Sequence, residues 1–193
     1  MDPQQLRALI ASAQAGEGEA YRELLAAYGP RLYGYFLRAT GSHHDAEDLL
    51  GELMLRLVNK LPSYDHRGRF EPWLFRIAAN MVRDRIRRRK TKPSPASLSA
   101  EGPSGAALAE QIPAGGPRAD AGLLAAERSE ALDAAMARLD DTTRNMILLR
   151  HFGELSFKEI AELFECPLGT ALARVHRGLQ ALRRLMGATD ERG

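Results

Sequence analysis

The chain of 193 residues has one cysteine, Cys166, and one tryptophan, Trp73. A single thiol forms neither an internal disulfide nor a zinc cluster, which fits a reducing compartment. No apolar run approaches the roughly 20 residues needed to span a bilayer. The leading Met1-Asp2-Pro3-Gln4-Gln5 lacks the basic flank and apolar stretch of a secretory signal. A cytoplasmic protein without direct membrane insertion is therefore expected. Strand-like alternation is missing too, so the chain reads as all-α. A Ser/His/Asp set, a glycine-rich phosphate loop and paired catalytic carboxylates are absent in suitable context, which excludes an enzyme and any cofactor from the expectations. His43-His44-Asp45 is the nearest approach to a metal cluster. Adjacent residues lack helical ligand spacing, so the trio reads as an N-capping loop with Asp45 as the cap, and no metal site is expected.

What is present is charge, unevenly placed. Lys and Arg number 27 against 25 Asp and Glu, a formal net charge of +2. Yet Arg83 to Lys92 holds seven basic residues and one acid, Asp84. Pro167 to Met186 holds four arginines, Arg174, Arg177, Arg183 and Arg184, and no acid. Two basic helices in a near-neutral chain point to two phosphate-contacting surfaces.

Three blocks follow from composition. Residues 1–92 and 127–193 read as two small helical domains. Residues 93–126, rich in Pro, Ala, Gly and Ser, read as a flexible linker without enough apolar surface to fold. Such a linker reaches on the order of 110–120 Å extended and about 30–35 Å as a coil. In the first block, helices are expected near residues 2–14 and 17–39. A third carries the apolar stripe Ala46, Leu49, Leu50, Leu53, Met54, Leu57, Val58 and Leu61, ending at Pro62. A fourth begins near Phe70 with Pro72 in its first turn. Phe70, Trp73, Leu74, Ile77, Ala78 and Met81 form its expected core face, and it continues into the basic run.

The sharpest signal is a helix-turn-helix between Leu155 and Thr170. Ser156 and Glu159 make a capping box, flanked by Leu155 and Ile160 as a hydrophobic staple. Pro167 and Gly169 break this helix, and the next runs to Met186. In such pairs the second helix usually enters the DNA major groove. Leu168, Leu172, Val175, Leu179, Leu182 and Met186 repeat at four-three spacing as an expected buried seam, with Thr170, Ala173, Arg174 and Arg177 largely on the exposed side.

These motifs in this order carry a resemblance. Asp45-Ala46-Glu47-Asp48-Leu49-Leu50, then Phe70-x-x-Trp73-Leu74-x-x-Ile77-Ala78-x-Asn80 and a basic helix, resemble region 2 of bacterial sigma factors. Leu149-Arg150-x-Phe152, Leu155-Ser156-x-x-Glu159-Ile160-Ala161 and Cys166-Pro167-x-Gly169-Thr170 resemble their region 4. A linker between the two is the pattern of the extracytoplasmic-function (group IV) class. The resemblance implies a transcription initiation factor that binds core RNA polymerase and promoter DNA. Glu47, Asp48, Glu52 and Arg56 would dock on the β′ clamp helices, with the β flap as a second polymerase contact. Gly51 stands where the family carries a polar residue and costs about 0.5–1 kcal/mol of helix propensity. Tyr64, His66, Arg67 and Asn80 would act at the minus-ten element, Tyr64 by stacking on an unstacked base, while Arg83, Arg87 and Arg88 hold phosphates. Ser156, Thr170, Ala173, Arg174 and Arg177 would meet the minus-thirty-five element. Leu172 and Ala173 depart from the basic residue and serine usual there. An anti-sigma factor covering both domains is implied as well. An ordinary helix-turn-helix repressor would not need the Asp45 and Trp73 motifs, and a protein-binding adaptor would not need two arginine-rich surfaces.

Overall fold

The computed structural model describes residues 1–91 and 129–190; the expected linker at 93–126 lies outside them. Every element among the described residues is helical. No described helix is long and apolar enough to cross a membrane.

Four helices form the N-terminal bundle: α1 (Pro3–Gln14), α2 (Gly18–Thr40), α3 (His43–Lys60) and α4 (Phe70–Thr91), with a short 3-10 turn at Leu61–Ser63. Pro3 opens α1 where a missing N–H costs nothing. The start of α3 differs from expectation. Ser42, not Asp45, is the N-cap, and its Oγ accepts from the Asp45 N–H at 3.2 Å. Asp45 then sits inside the first turn and is buried. Its two oxygens accept from Arg85 at 2.8 Å and from Arg89, both on α4. A buried carboxylate persists only when it is paired, and here two guanidinium groups pair it. The stripe of α3 is also narrower than expected. Ala46, Leu49, Leu50, Leu53, Leu57 and Leu61 are buried, whereas Val58 lies at its margin and is exposed, as is Leu55.

The C-terminal bundle comprises α5 (residues 129–137), α6 (Asp141–Phe152), α7 (Phe157–Leu163) and α8 (Leu168–Asp190). Asp140 caps α6 through the Thr143 N–H at 3.0 Å. The capping box of α7 forms as expected, and Leu155 and Ile160 are fully buried beside it. The turn into α8 is made differently. Glu165 takes the left-handed conformation, with φ 52°, while Gly169 lies within the first turn of α8. The Pro167 carbonyl accepts from the N–H groups of Thr170 and Ala171, which fixes the helix start.

The expected seam of α8 requires correction. Val175 and Leu182 are buried, but Leu168, Leu172 and Leu179 are 48%, 42% and 41% exposed. The face that packs runs through Ala171, Val175, Gly178 and Leu182. Gly178 explains the rotation. A Cβ there would stand 2.5 Å from Thr143 Cγ2 and 2.7 Å from Ile147 Cδ1. The absence of a side chain lets α8 approach α6 along that line.

α6 is the shared wall of the molecule. Besides α7 and α8, it packs against α2 and α4 of the N-terminal bundle. Gly153, just after α6, meets Phe75 of α4 so closely that a Cβ would fall 2.7 Å from Phe75 Cβ. Phe75 is fully buried although it lies off the core face expected for α4. That stripe accounts for one side of α4, and the helix packs on two, against α2 and α3 of its own bundle and against α6.

Candidate nucleic-acid interface

The outer face of α3 carries Glu47 and Asp48, both exposed. Asp48 receives distant contacts from His44 and Arg85, each at 3.7 Å. One turn on, Arg56 donates to Glu52 at 2.7 Å. Gly51 lies between them with nothing within 4 Å of where a Cβ would be. The result is a flat acidic ledge beside the exposed Leu55.

The connection from α3 to α4 holds an aromatic cluster. The Tyr64 ring lies 4.3 Å from the Trp73 ring, tilted by 34°, and 5.7 Å from Phe70. Tyr64 and Trp73 are half-buried, so Trp73, expected in the core, keeps part of its ring at the surface. His66 Nδ1 lies 3.4 Å from the Tyr64 hydroxyl. The loop backbone is tethered from below, because Gln14 Nε2 donates to the carbonyls of Leu61 and Tyr64 at 3.0 and 2.7 Å. Burial and the neighbouring Asp65 carboxylate push the Tyr64 phenol up, keeping it neutral. Arg67 is exposed and donates to Asp65 at 2.7 Å. A ring pair fixed at half-depth can stack a base that leaves its helix.

The basic helix divides its charge by direction. Arg85 and Arg89 turn inward to Asp45. Arg83 is half-buried, donates to the Leu163 carbonyl at 2.5 Å and lies over the Phe164 ring at 5.4 Å. Arg87 and Arg88 are exposed, Arg87 with a contact to Asp84 at 3.1 Å. Asn80 is exposed and lines, with Arg83, Arg87, Thr142, Asn145 and Phe164, a cleft of about 580 Å³ between the two bundles.

On the helix-turn-helix, Thr170, Ala173 and Arg177 are exposed on α8. Arg174 is half-buried and contacts Asp140 at 3.4 Å. Leu172, at 42% exposure, faces outward rather than into the bundle. Ser156 is spent on its cap: its N–H and its hydroxyl donate to Glu159 Oε2 at 2.9 and 2.7 Å. Burial disfavours the ionised Glu159, but the Ser156 hydrogen bonds and the Arg69 guanidinium outweigh it and hold the carboxyl below its usual range. Among the described residues no group of three or more His, Cys, Asp or Glu gathers as a metal site.

The pairings of Arg69, at the end of the Tyr64 loop, and of Arg76 were not read from the sequence. Arg69 donates to Glu159 Oε1 at 2.8 Å and Arg76 to Glu162 at 3.1 Å, both across the two bundles. Their signal is spacing, since Arg69, Arg76 and Arg83 recur every seven residues, about two helical turns.

Residues 24–92 match the family model of sigma-70 region 2, and residues 129–182 match that of sigma-70 region 4. The ECF RNA polymerase sigma factor SigW of Bacillus subtilis is 33% identical over 177 residues, covering 91% of this chain and 93% of the relative. The RNA polymerase sigma factor CarQ of Myxococcus xanthus is 31% identical over 176 residues, covering 91% and 94%. Among solved structures, the sigma factor RpoE of Bartonella quintana, crystallised with the anti-sigma factor NepR, superposes with a TM-score of 0.61 at 20% identity, over 86% of this chain and 96% of that one. CnrH, solved with the cytosolic domain of CnrY, gives 0.59 at 24% identity, over 94% and 97%. Both share the fold described above.

Proposed function

The chain belongs to the extracytoplasmic-function sigma factors of the sigma-70 family, and on that premise we propose which of its surfaces meet polymerase and promoter. It is an RNA polymerase sigma factor, acting in promoter-specific transcription initiation. The ledge of Glu47, Asp48, Glu52 and Arg56 docks on the β′ clamp helices, where complementary charge sets register and encounter rate. Gly51 leaves that ledge one polar contact short. The C-terminal bundle, region 4, adds a contact to the β flap.

Region 2, the N-terminal bundle, opens the minus-ten element. A base leaving the duplex stacks on the Tyr64–Trp73 pair, with His66, Arg67 and Asn80 within reach of its edges and backbone. Arg87 and Arg88 hold phosphates, and Arg83 joins them once released from Leu163. In region 4, α8 enters the major groove of the minus-thirty-five element. Arg177 supplies the cation for guanine edges or phosphate, with Arg174 behind it on Asp140. Thr170 and Ala173 offer small contacts, Leu172 adds apolar surface for thymine methyls, and Ser156 positions the motif through its cap. The RpoE neighbour is held by an anti-sigma factor, and this chain is held by one in the same way.

The observation that supports this assignment best is the split of the basic helix. Its inward arginines serve the fold, while Arg87 and Arg88 stand outward on the same helix that carries Trp73 near its start. Run-off transcription with core polymerase and a promoter library tests it. Wild type starts transcripts from a subset of sequences, Tyr64→Ala lowers open-complex formation at those promoters, and Glu47→Arg/Asp48→Arg lowers core binding. Absence of any transcript, or full activity in both variants, rejects the assignment.

A further inference from the structure

We propose that Gln14 of α1 is a positioning residue for promoter opening: it fixes the backbone under Tyr64, so that the Tyr64–Trp73 ring pair is in place before a base unstacks. α1 supplies none of the residues assigned above to polymerase or DNA. Its last residue nevertheless reaches the start of the loop that carries Tyr64, bonding to residues 47 and 50 positions further along the chain. A glutamine amide presents two N–H donors on one nitrogen. One side chain therefore serves the Leu61 carbonyl at 3.0 Å and the Tyr64 carbonyl at 2.7 Å together. Leu61 opens the 3-10 turn and Tyr64 follows its last residue, with the Tyr64 N–H donating to the Leu61 carbonyl at 3.0 Å. The Gln14 amide thus clamps both ends of the turn and sets where the Tyr64 side chain departs from the backbone.

The clamp is anchored on the α1 side. Ile10 and Ala13 are fully buried, and α1 packs on α2 and on the 3-10 turn. The end of α1 is capped by backbone alone, since the N–H groups of Ala15, Gly16 and Glu17 donate to the carbonyls of Ala11, Ala13 and Ser12. Gly16, at φ 89°, permits that turn. The Gln14 side chain is therefore spent on the loop and not on its own helix. On the other side Leu61 is fully buried, whereas Tyr64 is half-buried and residues 64–69 belong to no helix. Apart from its backbone bonds, Tyr64 is held by its ring, 4.3 Å from Trp73 and 5.7 Å from Phe70, and by His66 at its hydroxyl. A platform fixed in advance spares the ordering cost at the moment a base is captured. The inference rests on the reading of Tyr64 as the stacking residue of the minus-ten element.

Holoenzyme formed with the full chain tests it, at a promoter that wild type transcribes. Gln14→Met keeps the length of the side chain and removes the donor. Abortive initiation over a range of holoenzyme concentrations separates closed-complex affinity from the rate of opening. Gln14→Met is expected to bind core polymerase and form the closed complex as wild type does, but to open the promoter about tenfold more slowly, a factor within reach of two hydrogen bonds. Permanganate reactivity of the minus-ten thymines should rise at the same slower rate. Trp73 is the chain's one tryptophan, so its fluorescence in the free protein reports on the ring pair. Acrylamide should quench it more strongly in Gln14→Met. Gln14→Met/Tyr64→Ala should open no more slowly than Tyr64→Ala alone, because Gln14 acts through Tyr64. Four results overturn the positioning role and leave the minus-ten reading standing: an unchanged opening rate, a loss confined to closed-complex affinity, unchanged Trp73 quenching, or additive losses in the double variant. Opening at the wild-type rate in Tyr64→Ala overturns that reading, and this inference with it.

Discussion

The Tyr35 hydroxyl of α2 donates to Asn145 Oδ1 of α6 across 2.8 Å, and both side chains are buried. This polar bond joins region 2 to region 4 through their common wall. Burial pushes the Tyr35 phenol up, so the donor keeps its proton across any working pH. Tyr35→Phe removes the donor and leaves the Asn145 carbonyl without it. Urea unfolding should show a loss of about 1–3 kcal/mol, the usual penalty for a stranded buried partner. An unchanged midpoint would mean that water replaces the hydroxyl at no cost.

Asp45 joins α3 to the basic end of α4 through Arg85 and Arg89. Asp45→Asn keeps the size but leaves Arg89 without its carboxylate and Arg85 with only the distant Asp48, at 3.7 Å. A fully buried pair broken this way costs about 3–5 kcal/mol; with Arg89 half exposed, about 1–3 kcal/mol is expected. Chemical denaturation measures it. The accompanying functional effect should be a loss of minus-ten affinity, since the Arg87 and Arg88 segment loses its anchor.

Glu159 gives the protein an acid-sensitive joint. Its carboxyl is held below the ordinary value of 4.5 in the folded state, so the stability it contributes is present above about that pH. That contribution disappears as pH falls through the lower folded value. Glu159→Gln should cost about 1 kcal/mol at neutral pH through weakened capping and the lost pair with Arg69. Thermal melts of both proteins taken down to about pH 3 should converge on the acid side. Parallel curves would show that the carboxylate is not the origin of the difference.

Arg177 and Arg174 separate base reading from support. Arg177 is exposed, so Arg177→Ala should leave stability within about 0.5 kcal/mol. In fluorescence anisotropy with holoenzyme and a minus-thirty-five duplex, it should weaken binding by about 1–3 kcal/mol. Arg174→Ala should also lower unfolding stability slightly, because its guanidinium faces the Asp140 carboxylate that caps α6. Retained selectivity in Arg177→Ala would remove that side chain from the reading face.

The helices, their order and the capping of α7 were legible because their signals are local. Ser156 and Glu159 are three residues apart, and the box they form needs nothing else. Asp45 was misread as a cap because its true partners lie 40 and 44 residues away. Locally, an aspartate after a loop looks like an N-cap, and Ser42 three residues earlier does that job instead. Phe75 escaped notice because periodicity describes one buried face, whereas α4 has neighbours on two sides. The seam of α8 was misplaced for a related reason. Its leucines make the wider stripe, but glycine at 178 and alanine at 171 decide where another helix can come close. Glu47, Asp48, Arg87 and Arg88 are exposed, as polar residues off an apolar stripe ordinarily are, while the cross-region pairs of Arg69 and Arg76 depend on an orientation that no local pattern encodes.

The position of α6 has a practical consequence for dissection. Thr143, Asn145, Met146, Ile147, Leu148 and Leu149 are all buried, on sides that face both bundles. A cut between the regions would therefore not yield two finished pieces. The C-terminal fragment would carry Asn145 into water and the N-terminal fragment would uncover Phe75. Measurements on either fragment would report a molecule missing one side of its own interior.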